Sequence, residues 1–219
     1  MLPHKITALM ECYKCWLALG ELQDGQEIAF AYKHVIKPTQ VRIEIERLLE
    51  IFQRARPQTV LEIGTATGGT LFLFSRYAAE DAVIASIDLR GGRFGGGYPI
   101  AKVPLYRSFA RKNQKIVLIR GNSHLEETRW KATRALMQRP VDFLFIDGDH
   151  TYDGVRADFE MYSHLVSHGG IVAFHDIADH SPEPGCEVSR YWNEIKQQYR
   201  HEEIIEDPGQ GWGIGVLYV

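Results

Sequence analysis

Two groups of residues in this 219-residue chain have types and spacing that could do chemistry. The first is Asp147-Gly148-Asp149-His150, which follows the apolar run Val141–Ile146, together with His175-Asp176, which follows Ile171–Phe174. If both runs are neighbouring parallel strands, their tips stand side by side and five ionisable groups converge on one patch. Like charges in a partly dry site repel one another, so this patch calls for a compensating cation. Carboxylate oxygens suit Mg²⁺ or another hard divalent ion, and the His175 imidazole tilts the preference toward Mn²⁺, Fe²⁺ or Zn²⁺. His150 is a competent general base, because a histidine titrates near neutrality without a large shift. Its competing roles are to cap the following helix or to pair with a carboxylate.

The second group is Glu62-Ile63-Gly64-Thr65-Ala66-Thr67-Gly68-Gly69-Thr70. Gly64 and Gly68 let the backbone turn tightly and approach a ligand that a Cβ would push away. Asp88 ends the next apolar run about 20 residues on, where an acid can accept hydrogen bonds from ribose hydroxyls. Loop and acid together indicate a nucleoside-containing cofactor. A dinucleotide site would have a glycine where Ala66 stands, to admit a pyrophosphate.

The elements that must position these groups alternate. Strands are predicted at Thr59–Ile63, Ala82–Leu89, Lys115–Arg120, Val141–Ile146 and Ile171–Phe174. Helices are predicted at Gly69–Ala79, Glu126–Gln138, Tyr152–Val166 and Val188–Tyr199. Apolar strands separated by helices indicate an α/β fold, a mostly parallel sheet covered on both faces, with ligands beyond the carboxyl ends of the strands. Glu202–Glu206 and Gly213–Val219 are too close for a crossover helix and form an antiparallel hairpin at the sheet edge. Ahead of the sheet, Thr39–Ala55 reads as a helix with Thr39 as N-cap. Ile6–Leu19 reads as another, in which Cys12 and Cys15 share a face and pack. Residues 1–56 are thus a helical segment, a lid or a dimerisation element, and 57–219 are the sheet domain. Gly91–Gly97 reads as a loop, with Arg90, Arg93 and Tyr98 at its border. His4, His34, His164, His168 and His201 fall on loops or helix faces.

Composition excludes several classes. A net charge of -3 argues against a nucleic-acid surface, which would carry a basic excess. No apolar stretch of about 18 residues occurs, and three cysteines are too few for a disulfide framework. The residues after Met1 lack a secretory signal pattern, so a cytoplasmic protein is expected.

The motifs LEIGTATGGT, SIDL, GNSH, FIDGDHTYDGVRADFE and GGIVAFHDI, in this order, resemble those of the class I S-adenosylmethionine-dependent methyltransferases. The closest likeness is to the methyltransferase family 24 group, which includes cephalosporin hydroxylase-like proteins and macrolide sugar O-methyltransferases; it covers residues 57 to 219. The resemblance implies a Rossmann-like seven-stranded sheet ordered 3-2-1-4-5-7-6 with the last strand antiparallel. It implies that Gly64, Thr65, Ala66 and Gly68 line the methionine moiety of S-adenosylmethionine, with Glu62 beneath them. Asp88 and Leu89 would hold the ribose, and Asn122 and Ser123 would flank the adenine. Asp147 would border the cofactor and act in catalysis with His150. In related O-methyltransferases a divalent metal such as Mg²⁺ is held at the positions of Asp147, His175 and Asp176, to which Asp149 could add. Those enzymes have Asp-Asn where this chain has His175-Asp176, and a catalytic lysine where it has His150.

Three functions compete. A methyltransferase would move a methyl group to a small-molecule hydroxyl. A metal-dependent hydrolase would use GNSH, DGDH and HDIADH as ligand runs, with His124, Asp179 and His180 as second-tier candidates. That chemistry also wants Asp and His after the first strand, where TATGGT stands. A cofactor-binding protein without catalysis would show a degraded loop or ribose acid, and both are present. No nucleic acid or membrane partner is expected, and the N-terminal helices could serve a homodimer.

Overall fold

Side chains alternate across a strand, so a strand that is apolar on both faces needs cover on both. The computed structural model describes residues 2–91, 97–179, 184–210 and 212–219, without the side chains of residues 2–6 and 210. Three helices, α1 (Leu2–Leu19), α2 (Glu27–Lys33) and α3 (Arg42–Ala55), precede strand β1 (Thr59–Ile63). Then come α4 (Gly69–Tyr77), β2 (Val83–Asp88), α5 (Val103–Arg107), β3 (Lys115–Arg120), α6 (Glu126–Ala135) and β4 (Val141–Ile146). The chain closes with α7 (Tyr152–Tyr162), β5 (Val166–His175), α8 (Val188–Ile195), β6 (Arg200–Ile204) and β7 (Ile214–Tyr218). The strands form one sheet in the order β3-β2-β1-β4-β5-β7-β6. Strand β7 runs antiparallel to both β5 and β6, as the short final connection requires.

Two apolar cores flank this sheet. Val60, Ile84, Phe143, Phe145 and Val216 face one side, against Phe52 of α3 and Phe72 and Phe74 of α4. Leu61, Ile63, Ala85, Leu144, Val172 and Phe174 face the other, against Ala132 of α6, Phe159 of α7 and Trp192 of α8. Phe52 lies with its ring centroid 5.0 Å from that of Phe74 and 4.7 Å from that of Phe143, edge-on to the latter. Truncating a fully buried ring of this kind costs about 3–5 kcal/mol, so α3 is fastened to the sheet through Phe52. Cys12 and Cys15 share the buried face of α1, outside any disulfide, and burial pushes the Cys15 thiol up to about 11. Among the described residues, no helix is long and apolar enough to cross a membrane.

The helix expected from Thr39 begins at Arg42, with Val41 at its N-cap and no side-chain cap. The preceding residues are instead drawn across the glycine loop. Thr67 Oγ1 donates to the Lys37 carbonyl and the Tyr32 hydroxyl to the Gln40 carbonyl, each at 2.7 Å. A Cβ on Gly69 would lie 2.4 Å from the Ile36 carbonyl oxygen, so the strap can pass this close only over glycine. Helices α2 and α5 had not been expected, since each is too short for a 3.6-residue period to show. Helix α6 stops three residues early, where Met137 and Gln138 turn to positive φ.

Candidate active site

A cavity of about 460 Å³ lies beyond the carboxyl ends of β1 to β4. Gly64, Ala66 and Thr67 line it from the first loop, Asp88 and Leu89 from the end of β2, and Asn122, Ser123 and His124 from the end of β3. Asp147 to Thr151 close one end, and Thr39 and Lys102 reach in from elements outside the strand tips. The volume falls in the range of small-molecule and cofactor sites.

The glycine loop is held by what surrounds it. Gly64 has φ +98°, and a Cβ there would stand 1.9 Å from the Asp147 carbonyl oxygen, so the loop and the β4 tip meet backbone to backbone. Ala66 takes the left-handed conformation, φ +42°, which an L side chain adopts at a cost. Its peptide is gripped from both ends. The Thr65 and Ala66 N–H groups donate to Asp88 Oδ2 at 3.0 and 2.7 Å, and the Tyr106 hydroxyl donates to the Ala66 carbonyl at 2.9 Å. Asp88 Oδ1 accepts from the Leu89 N–H at 2.7 Å. Burial raises the Asp88 pKa, and these backbone donors oppose that rise. Asp88 therefore fastens the loop as well as facing the cavity.

Glu62 is fully buried beneath the loop, as expected. Thr70 Oγ1 donates to one of its oxygens and Ser86 Oγ to the other, both at 2.5 Å. Burial pushes its pKa up to about 8, against the pull of the two hydroxyls. Thr65 is buried with its hydroxyl 2.5 Å from Ser86 Oγ. Glu62, Thr65 and Gly68 thus support the loop and do not line the cavity, whereas Gly64, Ala66, Asp88, Leu89, Asn122, Ser123 and Asp147 do.

At the tips of β4 and β5 the ionisable groups crowd together. His175 Nδ1 is 3.2 Å from both Asp147 Oδ1 and Asp176 Oδ1. His150 stands between the two acids, its Nε2 3.4 Å from Asp147 Oδ1 and its Nδ1 3.3 Å from Asp176 Oδ2. Burial lowers the His175 pKa, but Asp176 and Asp147 outweigh it and hold the imidazole well above its usual value. Burial likewise raises Asp147, and His175 and His150 outweigh it, holding the acid below the usual carboxylate range. Asp176 adopts φ +62° and is 1% exposed, yet neither of its oxygens has a hydrogen-bond partner; nor does His175 Nε2. Asp147, His175 and Asp176 each offer a ligand atom within 4.8 Å of the others.

Asp149 does not join them. Its Oδ1 accepts from the Thr151 N–H at 3.0 Å and from Thr151 Oγ1 at 2.8 Å, because the chain must turn there into α7. Thr151 caps that helix, accepting from the Gly154 N–H, so capping is not the role of His150. His124 pairs with the buried Asp158 at 3.3 Å on the β3 side of the cavity, and Asp179 accepts from Asn193 on the surface. His180, Arg93, residues 92–96 of the glycine stretch and the side chain of His4 lie outside the described residues. Of the three ligand runs of the hydrolase reading, DGDH and HDIADH meet at Asp147, His150, His175 and Asp176, while His124 and Asp179 are paired elsewhere.

Sequence reasoning missed Gln40, whose Nε2 donates to Asp147 Oδ2 at 2.7 Å across 107 positions of the chain. It also missed Tyr106, Thr39 and Lys102. No local pattern marks them, since each is brought to the site by packing alone. A family model described as Methyltransferase domain (Methyltransf_24) matches residues 61–177, more than half of the chain. The chain belongs to this methyltransferase family. A curated relative, the uncharacterized protein y4gI of Sinorhizobium fredii, is 30% identical over 145 residues, 64% of this chain and 15% of that protein; the chain thus spans a small part of the relative's length. The O-methyltransferase from Bacillus cereus in complex with S-adenosylhomocysteine superposes with a TM-score of 0.59 at 16% identity, over 97% of this chain and 91% of that one. The MycE methyltransferase of the mycinamycin pathway, in complex with Mg, S-adenosylhomocysteine and mycinamycin VI, superposes with a TM-score of 0.58 at 16% identity, over 90% and 54%. The methyltransferase sheet is thus shared with proteins of very different sequence.

Proposed function

We propose that this chain transfers a methyl group from S-adenosylmethionine to a hydroxyl of a small molecule, with a divalent cation at Asp147, His175 and Asp176. The observation that carries the reading is the cavity itself. It runs from a glycine loop and strand-end acid suited to a nucleoside to Asp147 and His150, behind which His175 and Asp176 are packed. Family membership and the cofactor-bound relatives of the same fold support it. Residues 57–219 are the catalytic domain in this reading, and residues 1–56 serve it through Thr39, which lines the cavity, and Gln40, which donates to Asp147.

S-Adenosylmethionine, when bound, supplies an electrophilic sulfonium methyl. A divalent cation, when bound, lowers the pKa of a hydroxyl it touches. Asp147, Asp176 and His175, whose Nδ1 lies 3.2 Å from an oxygen of each acid, fit such an ion, since the Asp176 oxygens make no hydrogen bond and buried polar atoms without partners are costly unless something satisfies them. The rest falls to the chain. Gly64 and Ala66 would present backbone to the cofactor, and Asp88 would accept from the ribose hydroxyls while keeping its hold on the loop. Asn122 and Ser123 would bound the adenine. His150 would take the proton of the acceptor hydroxyl on Nε2, with Asp176 orienting the ring through Nδ1. In-line displacement needs alignment more than it needs new bonds to the protein, so much of the acceleration would come from this positioning.

Calorimetry with S-adenosylhomocysteine tests the cofactor half. The wild-type protein should bind it, and Asp88→Ala should weaken binding about 10- to 100-fold, the equivalent of one charge-assisted hydrogen bond. Absence of binding by the wild type, or equal affinity in the variant, would sink the reading of this cavity.

A further inference from the structure

We propose that His150, Asp176 and Cys186 form a second cation site, selective for a thiophilic divalent ion such as Zn²⁺. Their ligand atoms lie within 4.8 Å of one another, and the group shares only Asp176 with the Asp147–His175–Asp176 set. The three residues come from the tip of β4, the tip of β5 and the segment leading into α8. That segment is fastened at the site, since the Glu187 N–H donates to the His150 carbonyl at 2.7 Å. The second observation is Asp176, buried to 1% exposure with both oxygens lacking a hydrogen-bond partner and held in the left-handed region. Among the described residues its oxygens face the His175 and His150 imidazoles at 3.2 and 3.3 Å, and the Cys186 thiol adds a third ligand atom on the His150 side. One sulfur, one nitrogen and one carboxylate oxygen, with a fourth position left for water, is the donor set of tetrahedral zinc and a poor one for Mg²⁺. Binding would release the Cys186 thiol proton to solvent, leaving the thiolate as ligand.

A consequence follows for catalysis, and this part rests on the reading of His150 as the base. His150 turns Nδ1 toward Asp176 Oδ2, at 3.3 Å, and Nε2 toward Asp147, at 3.4 Å. A neutral imidazole that gives its Nδ1 lone pair to a metal carries its proton on Nε2, and that nitrogen can no longer accept another. Filling the second site would withdraw the base, so Zn²⁺ would inhibit where Mg²⁺ supports.

The test is a Co²⁺ titration of the chelator-treated protein, read as the thiolate-to-cobalt charge-transfer band in the near ultraviolet. The band should saturate at one ion per chain, be displaced by Zn²⁺, and be absent from Cys186→Ser and from Cys186→Ala. Zn²⁺ affinity should fall at least about tenfold in either variant while Mg²⁺ affinity stays the same. S-adenosylhomocysteine binding by the variants reports that they are folded. No band in the wild type overturns the site. So does a full band in both variants, which would assign the cobalt to Cys12 or Cys15. With a methyl acceptor in hand, Zn²⁺ inhibition is scored against each protein's own zinc-free rate. Inhibition of the wild type alone supports withdrawal of the base, and a band without inhibition overturns that step while leaving the site standing.

Discussion

Glu62 at β1 and Asp176 at the end of β5 are both carboxyl groups with almost no exposure, and their surroundings differ. Glu62 is met by two hydroxyls at 2.5 Å, and burial raises its pKa, so its region is closed on itself. Asp176 has two imidazoles at ion-pair distance, a second acid nearby, a positive φ and no hydrogen bond to either oxygen. The first arrangement is that of a support, where every polar atom is satisfied and nothing further is wanted. The second retains unmet bonding capacity and backbone strain, which persist only where surrounding structure enforces them, and which gather at sites that act on ligands. In the proposed function, these two regions of one sheet would separate holding a cofactor loop from handling a reacting group.

The largest expected effect breaks the second region. His150→Ala should lower turnover by about 10²–10⁴ while S-adenosylhomocysteine affinity stays nearly unchanged, read by steady-state rates beside calorimetry. An undiminished rate would move the base elsewhere, with His175 the next candidate. Between the two regions stands Gln40, which donates to Asp147 Oδ2 without being a ligand itself. Gln40→Ala should weaken Mg²⁺ binding about 10- to 100-fold, as loss of an outer partner does at metal sites. A Mg²⁺ titration of the chelator-treated protein measures it, and unchanged affinity would reduce Gln40 to a packing residue.

The smallest effect sharpens the first region. The folded pKa of Glu62, about 8, is raised above its ordinary 4.5. Between those values the folded protein keeps a proton that the unfolded chain has lost. Its stabilising contribution is full below about pH 4.5 and is lost as pH rises through about 8. Glu62→Gln should flatten that decline, by on the order of 1–3 kcal/mol between pH 5 and pH 8 in denaturant unfolding. Equal pH slopes for both proteins would show that Glu62 is ionised in the folded state.

The alternation of strand and helix, the terminal hairpin and the placing of Asp88, Asp147, His175 and Asp176 at strand tips were all legible beforehand, because each depends on local periodicity and on the rule that loops follow strands. The start of α3 was not. Thr39 has the chemistry of an N-cap, yet residues 36–41 serve as a strap over the glycine loop, a demand set by contacts with Thr67 and Gly69 rather than by neighbours in the chain. The bonding of Asp149 was not legible for a similar reason. In a list of acids it resembles a ligand, and only the turn into α7 directs its carboxylate to Thr151.

What the sequence determined by itself is the set of chemical groups and the end of the sheet at which they gather, since the order of apolar runs dictates both. The tertiary structure alone decided which groups touch. It brought Gln40 to Asp147 and Tyr106 to Ala66, pairs 107 and 40 positions apart and joined by no shared pattern. Periodicity reports how a segment buries its own face, while contacts of a few ångströms between distant segments depend on how whole elements pack, and no short stretch of sequence encodes that.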